Sequence, residues 1–255
     1  MNASRRRGRF LLRDPQDGAS ARLFCFPYSG LGASMYNKWP RRVGDVEFCL
    51  IQLPGRENRI PEPHYGTYDS LAGQVAEYLL PHLDRPFGFF GHCGGALPAF
   101  ATALHLARHG MPSPEVLYVS SQVSPHDGPY GRFLGMTDAE LSEELTQLTL
   151  AMGGRPQPDM IEISLKVLRA DLDANQQYHL DEPVVLPSVV HAIGWRDDRE
   201  IPPRLMAGWS AYAEPDRFRR TVLPGGHHAF LRPPDELPLL LAEGLASTRT
   251  SGPEG

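Results

Sequence analysis

Three places in the chain carry residue types able to break or make an acyl bond. The first is Phe87-Gly88-Phe89-Phe90-Gly91-His92-Cys93-Gly94-Gly95-Ala96, an apolar run of strand character that passes through Gly-His-Cys-Gly-Gly into a helical pattern. A nucleophile held on so sharp a strand-to-helix turn needs neighbours without side chains, which Gly91 and Gly95 supply. The free N–H groups and positive dipole end of the helix then face the reacting atom, lower a thiol pKa and steady an oxyanion. The plainer alternative is a buried core cysteine beside a glycine turn. The second place is Asp197-Asp198, just after the apolar run Val189 to Gly194, and the third is Pro224-Gly225-Gly226-His227-His228. A nucleophilic thiol needs a base, and the base needs an acid to orient it. Cys93, then an aspartate, then a histidine is a workable order for that set. Asp197 is the favoured acid and Asp198 the second choice; either could be a solvated turn residue. His227, directly after Pro-Gly-Gly, is favoured as base over His228.

The elements that must hold these residues alternate. Leu23 to Phe26 reads as a strand and runs into Pro27-Tyr28-Ser29-Gly30-Leu31-Gly32-Ala33-Ser34, a loop of small residues. Such a loop after an early strand either supplies a backbone N–H to an oxyanion hole or is simply a turn. Val46 to Leu53 is the next strand, and Leu71, Val75, Tyr78 and Leu79 make the stripe of an amphipathic helix capped at Asp69 or a neighbour. The elbow strand, a helix from Gly94 to about His109, and a strand over Glu115 to Ser120 follow. After about Gly131 the alternation breaks. Two helices, about Asp138 to Met152 and Met160 to Tyr178, come with only a Gly-Gly-Arg-Pro turn between them. It resumes with the strand at Val189, a helix near Pro202 to Tyr212, a strand at Thr221 to Leu223 and a last helix from Asp235.

Strands alternating with helices predict a mostly parallel sheet covered on both faces. The glycine-flanked elbow resembles that of the α/β-hydrolase fold, and that resemblance implies a helical lid over about 133–182. The expected organisation is a flexible arm over 1–20, one domain over 21–246 and a disordered tail over 247–255. Loops at the C-terminal ends of parallel strands then gather Cys93, the aspartates and the histidines.

Bulk properties narrow the function. With 255 residues the chain can bury a full core, and its formal charge of -5 argues against a nucleic-acid partner. The basic cluster at Arg5 to Arg9 reads as a solvated tail. Three cysteines without a C-x-x-C pair give neither a disulfide framework nor a zinc pattern, and Cys25 and Cys49 read as core. No signal peptide and no membrane-spanning run are evident, so a cytoplasmic location is expected. His64, His82, His105, His109, His126 and His179 read as structural, and His92 as packing within the elbow.

The chain resembles the type II thioesterases, stand-alone α/β-hydrolases that serve polyketide and nonribosomal peptide assembly lines. The matching segments are Cys25-Phe-Pro-Tyr-Ser-Gly30 with Gly32-Ala-Ser34, Gln52-Leu-Pro-Gly-Arg-Glu57, Phe90-Gly-His-Cys-Gly-Gly-Ala96, Gly153-Gly-Arg-Pro156, Leu168-Arg-Ala-Asp171 and Leu223-Pro-Gly-Gly-His227. They run from roughly residue 22 to 240. The resemblance implies Cys93 as nucleophile, Asp197 as acid, His227 as base, and an oxyanion hole from the backbone N–H of Gly94 and one from the Tyr28/Ser29 turn. It also implies a lid over a channel for an acyl-phosphopantetheine arm, no cofactor or metal of its own, an acyl or peptidyl carrier protein as partner, and a monomer. Two departures stand out: the family has serine, often followed by Met, where this chain has Cys93-Gly94, and His228 is extra.

The cysteine matters chemically. An acyl-serine is an oxygen ester, so its formation from a thioester runs downhill, whereas an acyl-cysteine is another thioester, close in energy to the substrate. Hydrolysis of carrier-bound acyl groups is the expected activity. Transfer of the same acyl group to an amine, alcohol or thiol is the alternative, and a non-catalytic carrier-binding module is a third reading.

Overall fold

The computed structural model describes residues 9–247. Seven strands form one sheet: β1 (Ala21–Phe26), β2 (Arg42–Val43), β3 (Val46–Leu50), β4 (Phe87–His92), β5 (Val116–Ser120), β6 (Val189–Trp195) and β7 (Phe218–Leu223). Their spatial order is β2-β3-β1-β4-β5-β6-β7, and only the β2–β3 pair is antiparallel. This is the α/β-hydrolase architecture.

Every residue of β1, β4, β5 and β6 is buried. That explains their continuous apolar runs, since a parallel sheet is covered on both faces. Phe24, Phe26, Phe87, Phe89 and Leu117 face one side. There they meet α1 (Tyr68–Leu79) and α2 (Ala96–Arg108), which present Leu71, Val75, Leu79 and Phe100. Leu23, Cys25, Phe90 and Tyr118 face the other side, against Leu237, Leu241 and Leu245 of α5 (Glu236–Ser247). The edge strand β7 carries the exposed Arg219 and Arg220, charges that discourage pairing with another sheet.

Between β5 and β6 the chain makes the helical insertion, α3 (Asp138–Ala151) and α4 (Pro158–Gln177). Thr137 and Glu140 start α3 with a reciprocal capping box. Thr67 rather than Asp69 caps α1, accepting a bond from the Ser70 N–H. The stretch Pro203–Tyr212 is a run of 3-10 turns.

Part of the expected N-terminal arm is core. Phe10 and Leu11 are buried, Leu11 bridges Ile51, and the Gln52 N–H donates to the Phe10 carbonyl at 2.8 Å. Two apolar residues at the head of a polar stretch are enough to dock it on the rim of β3. The basic residues 5–8 and the tail from 248 onward lie outside the described residues. Among the described residues no helix is long and apolar enough to cross a membrane.

Candidate active site

Cys93 sits at the tip of the elbow, on the turn Cys93–Gly95 between β4 and α2. Its φ of 49° is left-handed, a strain of about 1–3 kcal/mol that the flanking packing must hold. A Cβ on Gly91 would lie 2.2 Å from the Gly95 carbonyl oxygen, and one on Gly95 would lie 2.6 Å from that of Pro27. Both positions therefore need glycine, and the turn they permit leaves the thiol half-exposed at the head of α2.

His227 follows β7 and is buried. Its Nδ1 pairs with Asp198 Oδ2 at 2.9 Å. Asp197, the favoured acid from sequence, is exposed, and its backbone N–H donates to the Gly225 carbonyl at 2.9 Å. The carboxylate in contact with the base is that of Asp198. The chain turns directly after Trp195, so the two neighbouring aspartates point opposite ways, the first outward and the second inward. Asp198 Oδ1 accepts from the N–H groups of Glu200 (2.8 Å) and Ile201 (2.9 Å), and Oδ2 also accepts from Ser121 Oγ at 2.7 Å. Burial alone would raise its pKa; the bonds from His227, Ile201 and Ser121 override that and hold it below the usual carboxylate range.

His227 is shifted the other way. Burial disfavours its charged form, but the neighbouring Cys93 and the bond to Asp198 outweigh that and push it up to about 10. Nε2 of His227 is buried without a hydrogen-bond partner among the described residues. His228 is half-buried; desolvation and the charge of His227 lower its pKa, and it does not touch Asp198. His92 packs as expected, stacked 3.8 Å from the Phe230 ring and bonded through Nδ1 to Ser120 Oγ at 2.9 Å.

Facing the thiol is the loop after β1. The Tyr28 N–H is already engaged with Met35 Sδ at 3.0 Å, and of the two turn residues Ser29 is the one that approaches Gly94. Ser29 also accounts for Gly94. A Cβ at position 94 would stand 1.8 Å from Ser29 Oγ, so the serine hydroxyl occupies the room a larger residue would need. The pocket over Cys93 is lined by Tyr28, Gln122, Phe133, Leu172, Asn175 and Glu200, among others, and leaves about 30 Å³ free, space for one or two waters. A larger cavity of about 230 Å³ lies away from Cys93, between Leu12, Trp39 and Phe48.

The thioesterase domain model matches residues 21–241. The chain belongs to the thioesterase family. It is 34% identical to a solved RedJ thioesterase from the prodiginine pathway of Streptomyces coelicolor, covering 92% of this chain and 93% of that one with a TM-score of 0.71. The type II thioesterase BorB from the borrelidin cluster shares 28% identity over 92% of this chain and 97% of its own, with a TM-score of 0.76. Linear gramicidin dehydrogenase LgrE of Brevibacillus parabrevis is 32% identical over 243 residues, 93% of this chain and 92% of that protein. That relative's name is an oxidoreductase's, whereas the family model that matches this chain is a thioesterase's.

Behind the site of this thioesterase lies a second polar cluster that sequence reading missed. Asp171 on α4 is buried and accepts from the Gly30 N–H (2.7 Å), from Arg56 Nη1 and Nη2 (both 2.8 Å) and from Tyr65 Oη (2.7 Å). It also pairs with His64 Nε2 at 2.7 Å. Burial would raise its pKa, but Arg56 and His64 hold it well below the usual range. The cluster fastens the helical insertion to the same loop that carries Ser29. A second tie runs through Arg132, which pairs with Glu200 Oε1 at 3.0 Å and with Glu144 of α3 at 2.6 Å. The Leu-Arg-Ala-Asp and Leu-Pro-Gly-Arg-Glu segments signalled Asp171 and Arg56; nothing local marked His64, Ser121, Arg132 or Glu200.

Proposed function

We propose that this thioesterase hydrolyses acyl thioesters held on the phosphopantetheine arm of an acyl or peptidyl carrier protein in a polyketide or nonribosomal peptide pathway. Cys93 is the nucleophile, His227 the base, Asp198 its orienting acid, and the N–H groups of Ser29 and Gly94 the oxyanion donors. The observation that carries the reading is the 2.9 Å His227–Asp198 contact beside a cysteine strained at φ 49° on a helix head. The prodiginine, borrelidin and linear gramicidin names of its relatives support the pathway class. It works as a monomer in the cytoplasm.

The thiolate of Cys93 attacks the thioester carbonyl, and the negative oxygen is held by the two N–H groups. The intermediate collapses by expelling the pantetheine thiolate, which takes the proton from His227. The second half mirrors the first. His227, now neutral, takes a proton from water, the hydroxide adds to the acyl-Cys93 carbonyl, and collapse returns the thiolate and frees the acid. These side chains and water complete the cycle. A pocket of about 30 Å³ does not admit an acyl-pantetheine, so α3 and α4 act as a lid that must shift to let it in.

Release of free acid from an acylated carrier protein tests the assignment. Cys93→Ala is expected to lower the rate by at least about 10³-fold. Wild-type rates in that variant would remove Cys93 from the mechanism.

A further inference from the structure

We propose that Glu200, His227 and His228 form a zinc-binding site that shuts the enzyme off when occupied. One donor atom from each of the three lies within 4.8 Å of the other two. Two imidazoles and a carboxylate are a zinc donor set, leaving a fourth position for water or a further ligand. They do not suit magnesium or calcium, which favour all-oxygen cages.

Asp198 engages only Nδ1 of His227, so the ring is held rigidly with Nε2 turned away from its acid. That Nε2 is buried, in a residue only 6% exposed, and has no hydrogen-bond partner among the described residues. Nε2 of His228, in a half-buried ring, also has no hydrogen-bond partner among the described residues. Glu200 is already divided between two tasks. Its Oε1 pairs with Arg132, while Oε2 stands 3.7 Å from His227 Nε2. Two ligands on a tetrahedral zinc at ordinary Zn–N and Zn–O lengths sit roughly 3.4 Å apart. The pair is therefore close to the spacing the metal needs, and small side-chain rotations close the set. The His227–Asp198 bond is the carboxylate support that metal-binding imidazoles use.

Occupation blocks turnover in a definite way. Zinc on Nε2 takes the lone pair through which His227 accepts and returns the proton in both halves of the cycle. The inhibitory consequence rests on the proposed role of His227; the binding itself does not.

Binding is therefore measured first without turnover, by titrating zinc alone into full-length Cys93→Ala protein in a calorimeter. One ion per chain is expected. At least about tenfold weaker binding is expected when His228→Ala or Glu200→Gln is added, with folding of each variant checked by circular dichroism. Loss of binding in Cys93→Ala would place the metal on the thiol and overturn the site, as would undiminished binding in both added variants. In the active protein, zinc set by a chelator buffer should inhibit acyl-pantetheine hydrolysis and release on adding chelator. His228→Ala alone should need at least about ten times more zinc for the same inhibition. Equal sensitivity of the two proteins would overturn the inhibitory role. A zinc-binding chain with no hydrolase activity would refute only the thioesterase mechanism, and an active one that binds no zinc only the metal site.

Discussion

The polar cluster around Asp171 and the one around Cys93 share a loop, and they are built on opposite principles. Asp171 is buried with both carboxylate oxygens engaged by Arg56, Gly30, Tyr65 and His64. In the catalytic cluster only one end of the relay is closed. Asp198 is fully engaged, but His227 Nε2, His228 Nε2, Tyr28 Oη and Asn175 Oδ1 are buried without partners among the described residues. A buried polar atom left unpaired costs about 1–3 kcal/mol, so a group of them around one pocket marks a place where a bound molecule can supply the missing partners. The Asp171 cluster fixes the loop and insertion; the Cys93 cluster waits for substrate on a loop so fixed.

If this division is right, changes in one cluster should cost rate and changes in the other stability. Apart from loss of Cys93 itself, the largest effect on rate is Asp198→Asn, expected to lower hydrolysis by about 10³–10⁴-fold with the fold intact, because His227 loses its orienting partner. Asp197→Asn, exposed and one residue away, should stay within roughly twofold. Reversal of that order in a side-by-side kinetic assay would return the acid to Asp197.

In the other cluster, Arg56→Met strands a buried carboxylate and is expected to cost about 3–5 kcal/mol in urea unfolding. A cost below about 1 kcal/mol would show the cluster to be dispensable.

The two clusters should also fail at opposite ends of the pH scale. Asp171 has its pKa depressed on folding, so its contribution is present above the unfolded value of about 3.9 and is lost as pH falls toward the folded one. His227 is raised to about 10, so its contribution is present below the unfolded value and is lost as pH rises through about 10. Unfolding midpoints across pH should show both arms in the wild type. Cys93→Ala should flatten the alkaline arm alone, since Cys93 is the largest of the causes that raise His227. An unchanged alkaline arm would mean that no such pair exists.

The smallest expected effect is at the strained nucleophile. Cys93→Gly relieves a φ of 49° and should raise stability by about 1 kcal/mol while abolishing turnover. Destabilisation instead would show that the thiol side chain is chiefly a packing group.

What was legible in the sequence follows from range. The elbow and Pro-Gly-Gly-His are local, because glycines are forced by contacts within a few residues, as at Gly91 and Gly95. The strands were legible because buried parallel strands are continuously apolar. Asp197 against Asp198 is a one-residue matter of which way a turn faces, and two partners of the inward carboxylate are distant: Ser121, 77 residues away, and His227, 29 away. His64 meets Asp171 across 107 residues, and Arg132, before the helical insertion, meets Glu200 beyond β6. No spacing rule reaches that far. Phe10 and Leu11 were hidden for another reason: the short run Phe10-Leu11-Leu12 beside an arginine-rich terminus carries no periodicity.

The most direct test of the central claim is the intact mass of the protein, followed over time after mixing with an acyl-pantetheine thioester. A transient adduct on Cys93 that decays in buffer alone, with free acid released in step, is the predicted result. An adduct that persists until an amine, alcohol or thiol is added would contradict hydrolysis and make the chain an acyltransferase. Free acid formed equally fast by Cys93→Ala would contradict the nucleophile itself.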